Sequence, residues 1–170
     1  MPIFQYNNIY PKISETAFVA PTASIIGDVT IGSGSSVWFN NVIRGDVAKI
    51  VVGNRTNIQD GTVVHVTRNG GNTIIGDNVT IGHSCLLHAC NISSNSFIGM
   101  GSIIIDGAII EEFSWVAAGS LVTNNKIIKS YEIWAGRPAK FFRKLTDEEI
   151  NYISISAENY HKHSVEYRSL

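Results

Sequence analysis

Residues 96–122 read SFIGMGSIIIDGAIIEEFSWVAAGSLV, and their branched apolar residues Ile98, Ile104, Ile110, Val116 and Val122 recur every six positions. Two residues before each stands a small one: Ser96, Ser102, Ala108, Ser114 and Ser120. Working outward, the same ladder runs back through Ile92 to Leu87, Ile81 and Ile75, then to Val64, Ile58 and Val52. It reaches Ile43, Val37, Ile31, Ile25 and Val19 near the start. Ala17, Ala23, Ser35, Thr56, Thr62 and Thr73 keep the small slot in the earlier hexads.

A helix would repeat at 3.6 and a half-buried flat strand at two, so a period of six needs another architecture. Each hexad fits a short strand plus a corner, with the apolar residue inward and the small residue beside it. Three hexads close a triangular coil of about 18 residues, stacked about 4.8 Å along the axis. The fold class expected is therefore an all-β solenoid, a parallel β-helix of hexapeptide repeats followed by a C-terminal α-helix. A β-sandwich with coincidental spacing is the alternative, and so many positions in one register weigh against it. The solenoid is assigned to 1–135, with an N-terminal strand or cap, and a turn and packing helix to 136–170.

The ladder breaks three times. Val52 follows Ile43 by nine residues, Ile75 follows Val64 by eleven across the TRNGGN loop, and Ile92 follows Leu87 by five. Loops inserted into a rigid scaffold are where function is usually placed, and these breaks flank three histidines.

Toward the C-terminus, IWAGRPAKFFRKL (133–145) carries Gly-x-Pro turn chemistry. Thr146 with Glu149 forms a capping box, and Ile150, Ile153, Ala157 and Tyr160 follow at helical spacing. The expectation is a helix over about 147–162 lying on the solenoid. His161 and His163 read as solvated tail residues.

Thirteen basic and fourteen acidic residues in 170 leave a net charge of −1, with no basic stretch for nucleic acid. MPIFQYNN lacks the basic start and apolar run of a signal peptide. Apolar runs fall far short of the roughly 20 residues that span a bilayer. Two cysteines are too few for a disulfide scaffold. Cys85 and Cys90 fall in the small inward slot and read as core fillers. The expectation is one soluble, cytoplasmic domain with no membrane and no nucleic-acid partner.

The hexad count places Ile43, Val64 and Leu87 on one face in successive coils. Arg44, His65 and His88 each follow by one and form a column, close enough for two imidazoles to share a metal. His83 belongs to a different face, with Asp60 stacked beneath it and Gln59 alongside. One chain then does not close a three-histidine site. A face-two column meeting the face-one column of the next chain would, and that head-to-tail relation closes as a homotrimer with one metal at each interface. Three imidazoles with an open position suit catalytic Zn2+, and Fe2+ or Co2+ also suit three nitrogens.

The runs VIRGDVAKIVVGNRTNIQDGTVVHV, TIGHSCLLHAC and FIGMGSIIIDGA resemble the gamma-class carbonic anhydrases and their shorter relatives over roughly residues 10–145. The resemblance implies a left-handed β-helix trimer that binds zinc or iron between subunits through His65, His83 and His88. It implies that Arg44 and Asp46 form an ion pair at the subunit contact and that Asn57, Gln59 and Asp60 lie near the metal. Tyr160 resembles a tyrosine that some short relatives place near the site. The long branch of the family carries two glutamates linked to proton transfer. Val47 and Arg68 stand at or near those places here, which leaves proton export slow or to another group.

The activity implied is reversible hydration of carbon dioxide to bicarbonate by metal-bound hydroxide, with Gln59 holding that hydroxide and Asn57 and Tyr160 beside it. Two rivals stand against it. One is a hexapeptide acyltransferase or metal-dependent coenzyme-A thioester hydrolase, because WAGRPAK resembles the closing turn of the transferases. The other is a non-catalytic metal-stabilised scaffold.

Overall fold

In the computed structural model, residues 2–69 and 71–169 are described, so Met1, Gly70 of the TRNGGN loop and Leu170 lie outside the described residues. The chain winds as a parallel β-solenoid whose three faces are ladders of paired strands. One face aligns Ile25, Ile43, Val64, Leu87, Ile104 and Val122. The second aligns Val19, Val37, Ile58, Ile81, Ile98 and Val116. The third aligns Ile31, Val52, Ile75, Ile92, Ile110 and Ile128. These are the residues of the six-residue ladder, and they are buried in a single core. Insertions do not disturb the rungs. Strands Ser24–Ile31 and Val42–Val52 run round a corner together and absorb the extra residues in a register shift between Gly27 and Val29.

The small slots have a second role. Ser35, Thr56, Ser96 and Ser102 are buried, and their hydroxyls donate to corner carbonyls of Gly53, Gly76, Glu111 and Ala117. A corner leaves backbone carbonyls without a ladder partner, and a buried one needs a donor. The corners themselves repeat: Asn95, Gly101, Gly107, Phe113, Gly119, Asn125 and Tyr131 all have positive φ at six-residue spacing. Glycine and asparagine enter that left-handed region most cheaply. Phe113 and Tyr131 enter it too, and their rings stack with centroids 5.6 Å apart.

The segment expected as a plain turn is an antiparallel hairpin, Glu132–Ala135 with Lys140–Lys144, which closes the last coil. The helix spans Asp147–Arg168, six residues beyond the end expected, and both arms of the Thr146–Glu149 capping box are present. It packs on the second face against strands Phe18–Val19, Ser36–Val37, Asn57–Ile58 and Thr80–Ile81. Ile153 and Ala157 are buried there, but so are Ser156 and Ser164, which an apolar stripe does not reveal. His161 is not a solvated tail residue: it is partly buried and its Nδ1 lies 3.0 Å from the Gly34 carbonyl oxygen. His163 is exposed. No described helix is long and apolar enough to cross a membrane.

Candidate metal centre

Strands Val63–His65 and Leu86–His88 pair in parallel with His65 opposite His88. Both imidazoles therefore leave one face, a coil apart, with ring centroids 5.2 Å apart and planes at 50°. A carboxylate holds each ring from the outer side of the pair. His65 Nε2 lies 2.9 Å from Asp46 Oδ1, a coil below. His88 Nδ1 lies 2.7 Å from Asp106 Oδ1, a coil above. An ionised carboxylate only accepts, so the bonded ring nitrogen carries the proton. In the neutral imidazoles this leaves Nδ1 of His65 and Nε2 of His88 as the nitrogens with a free lone pair. Ligating imidazoles are usually supported in this manner, so the donor set fits a divalent cation.

Arg44, first in the same column, pairs with Asp46. Burial alone would raise the Asp46 carboxyl, but hydrogen bonds from His65 and Arg44, and their charges, outweigh it and hold it below the usual carboxylate range. Burial likewise pushes Asp106 up, but the His88 hydrogen bond, a bond from its own backbone amide, the His88 charge and Thr67 together outweigh it and hold it below the usual carboxylate range. Asp106 was not singled out in the sequence. It sits in an Asp-Gly corner, which reads as turn chemistry, yet it is one coil of eighteen residues above His88, and that spacing is the signal that could have found it.

His83 stands in the corner after strand Thr80–Ile81, with Nδ1 2.9 Å from Asp60 Oδ2. Asp60 Oδ1 in turn accepts from the Phe39 amide at 3.2 Å. The second face was expected to meet the neighbouring chain, but over these coils the helix covers it. His83 and Asp60 escape that cover because they sit at the corner, 43% and 42% exposed. The structure thus brings His65 and His88 together and leaves His83 apart. Among the described residues no three His, Cys, Asp or Glu side chains converge on one point where a metal could sit.

Asn57 and Gln59 are buried beneath the helix. Asn57 Nδ2 donates to Thr80 Oγ1 at 2.9 Å and lies 3.4 Å from the Val79 carbonyl oxygen. A carbonyl cannot donate, so the amide nitrogen of Asn57 belongs on that side. Its Oδ1 then accepts from Gln59 Nε2 at 3.1 Å. Gln59 Oε1 is consequently the end left over, a pure acceptor.

Tyr160 lies in an aromatic cluster, edge-on to Trp38 at 5.6 Å. Burial, and then the Asp60 charge, raise its phenol above the ordinary value. Val47 packs against the core and Arg68 is exposed. Cys85 and Cys90 are buried and free, and burial pushes their thiols up to about 11 and about 12.

No family model matches the chain. It is 55% identical over 155 residues to gamma carbonic anhydrase 2, mitochondrial, of Arabidopsis thaliana, covering 88% of this chain and 56% of the relative. The chain thus spans little more than half the length of that plant protein. It is 44% identical over 168 residues to a carbonic anhydrase of Geobacillus kaustophilus, covering 99% of this chain and 92% of the relative. A crystal structure of a hexapeptide transferase family protein from Anaplasma phagocytophilum superposes with a TM-score of 0.95 at 56% identity, covering 98% of both chains.

Proposed function

Because this chain belongs to the gamma-class carbonic anhydrase family, we propose that it catalyses the reversible hydration of carbon dioxide to bicarbonate. Zinc, iron or cobalt would be held by His65 and His88 of one chain and His83 of a neighbour in a homotrimer. The observation that supports this best is the pair of imidazoles 5.2 Å apart, each held through one nitrogen by its own carboxylate. A bound divalent cation would supply the Lewis acidity that lowers the pKa of water to about 7.

The chain's own residues do the rest. Asp46 and Asp106 fix the two rings, and Arg44 fixes Asp46. Asp60 holds His83 at the corner, where it can reach another molecule. Gln59 is the candidate catalytic residue: its Oε1 accepts a proton-bearing O–H and so orients the attacking oxygen, while Asn57 prevents the amide from turning round. Tyr160 feels the Asp60 charge from within its aromatic cluster, which supports a role for it near that corner.

The test is anaerobic purification, metal analysis and stopped-flow assay of carbon dioxide hydration with zinc or iron loaded. Metal content and activity that survive His88→Ala would end the proposal. The transferase family of the Anaplasma neighbour favours a second reading, acyl transfer or thioester hydrolysis. Turnover of acetyl-CoA without metal would support that reading instead.

A further inference from the structure

We propose that Asp106 is a positioning residue for His88, setting which ring nitrogen the imidazole presents to the cation. This rests on the reading of His88 as a metal ligand. The bland role for Asp106 is that of an Asp-Gly corner, in which the short carboxylate turns back on its own backbone or faces water. Its main chain does serve the corner: the Asp106 carbonyl accepts from the Asn125 amide at 3.0 Å, and the Gly107 amide donates to the Ala89 carbonyl at 2.7 Å. The side chain keeps a bond to its own backbone amide and one from Thr67, and it reaches further than the corner requires. Oδ1 reaches eighteen residues back, into the coil below, and meets His88 Nδ1 at 2.7 Å.

Three features make this contact specific. It is short, as charge-assisted bonds are. It takes the Nδ1 proton, although free imidazole favours the other tautomer, so Nε2 is the lone-pair nitrogen. It also has a counterpart in the contact of His65 Nε2 with Asp46, so each ring of the pair is held through one nitrogen by a carboxylate from a neighbouring coil. The corner bears the side chain at a fixed height because strand Ile103–Ile104 is locked to strand Leu86–His88 by the ladder.

The experiment uses the full chain, labelled with nitrogen-15 and stripped of metal. Two-bond proton–nitrogen spectra report the tautomer of each histidine, and His88→Ala assigns the His88 signals. Zinc affinity is then measured by competition for wild type, Asp106→Ala, Asp106→Asn and His88→Ala. The expected result is an Nδ1–H tautomer for His88 in the wild type. Asp106→Ala moves it toward Nε2–H and weakens zinc binding about 10–100-fold. Asp106→Asn, whose carbonyl still accepts, keeps the tautomer and stays nearer wild type. An Nε2–H tautomer in the wild type overturns the proposal. So does an Asp106→Ala protein with unchanged tautomer and affinity while His88→Ala loses zinc, a result that leaves the metal site standing. Wild-type zinc affinity in His88→Ala removes the metal site itself.

Discussion

Ser156 Oγ, on the C-terminal helix, lies 3.0 Å from Thr80 Oγ1, in the solenoid wall. Both are buried, and Thr80 is also the acceptor for Asn57, which holds Gln59. The helix is thereby linked through Thr80 and Asn57 to Gln59. Thr80 Oγ1 accepts from Asn57, and it shares its remaining bond with the Ser156 hydroxyl, in which either oxygen can donate.

Thr80→Val keeps the shape and deletes that acceptor. Asn57 Nδ2 is then left with only the 3.4 Å contact to the Val79 carbonyl. Leaving a buried donor unsatisfied costs about 1–3 kcal/mol, which urea denaturation would show. We expect kcat for carbon dioxide hydration to drop about tenfold, in line with losses at outer partners of metal sites, with zinc content unchanged. An unaltered kcat would detach this row from catalysis.

Metal removal is the second measurement. A ligand present at a thousand times its Kd stabilises the folded state by about 4 kcal/mol. Chelation should therefore lower the thermal midpoint of the wild type and, if the site is shared, shift sedimentation from trimer toward smaller species. His65→Ala should behave like the chelated wild type. Equal midpoints with and without chelator would count against any bound ion.

The capping box gives a pH dependence. Arg143 donates to Glu149 at 2.7 and 2.8 Å, and the Thr146 amide adds a third bond at 2.9 Å. Together they lower the Glu149 carboxyl from 4.5 to about 2. Its contribution is complete above the unfolded value of 4.5 and is lost as pH falls toward about 2. Glu149→Gln should melt earlier than wild type at neutral pH, and the two curves should meet near pH 2. A gap that stays constant across that window would refute the assignment.

Two neighbouring glycines should respond unequally to alanine. Gly101 has φ of +69°, yet a Cβ there would meet no atom closer than 4.0 Å. Only the backbone preference is then lost, roughly 1–2 kcal/mol. At Gly99 the same carbon would lie 2.4 Å from the Ala118 backbone nitrogen in the next coil. Neither backbone can yield without breaking the ladder, so Gly99→Ala should be the more destabilising change by denaturant midpoint. The reverse order would be wrong for this stacking.

What the sequence displayed and what it concealed have different physical origins. The inward slot takes a branched apolar side chain, Val, Ile or Leu, so residues such as Ile58, Ile81 and Ile98 spell out the coil on their own. The corner position tolerates Gly, Asn, Ser and even Phe113, because it asks for a backbone angle and not a side chain. Gly and Asn predominate there, but the exceptions keep the corner from being read residue by residue. The helix was foreshortened for a similar reason. Its inner face uses Ser156 and Ser164, whose hydroxyls are satisfied by Thr80 and by the His161 carbonyl, and buried serine looks the same as exposed serine in a hydropathy pattern. At the site, register placed His65 above Arg44 and His88 above His65. Asp106 was concealed because one residue serves both as corner and as partner.

The in-register ladders separate length from chemistry. Rungs beyond Ile110 repeat the same packing unit, so a whole coil added or removed there would leave the histidine column and both of its carboxylates untouched. Growth by whole coils lets such a molecule acquire new outer surface, and with it new neighbours, without renegotiating the centre it already has.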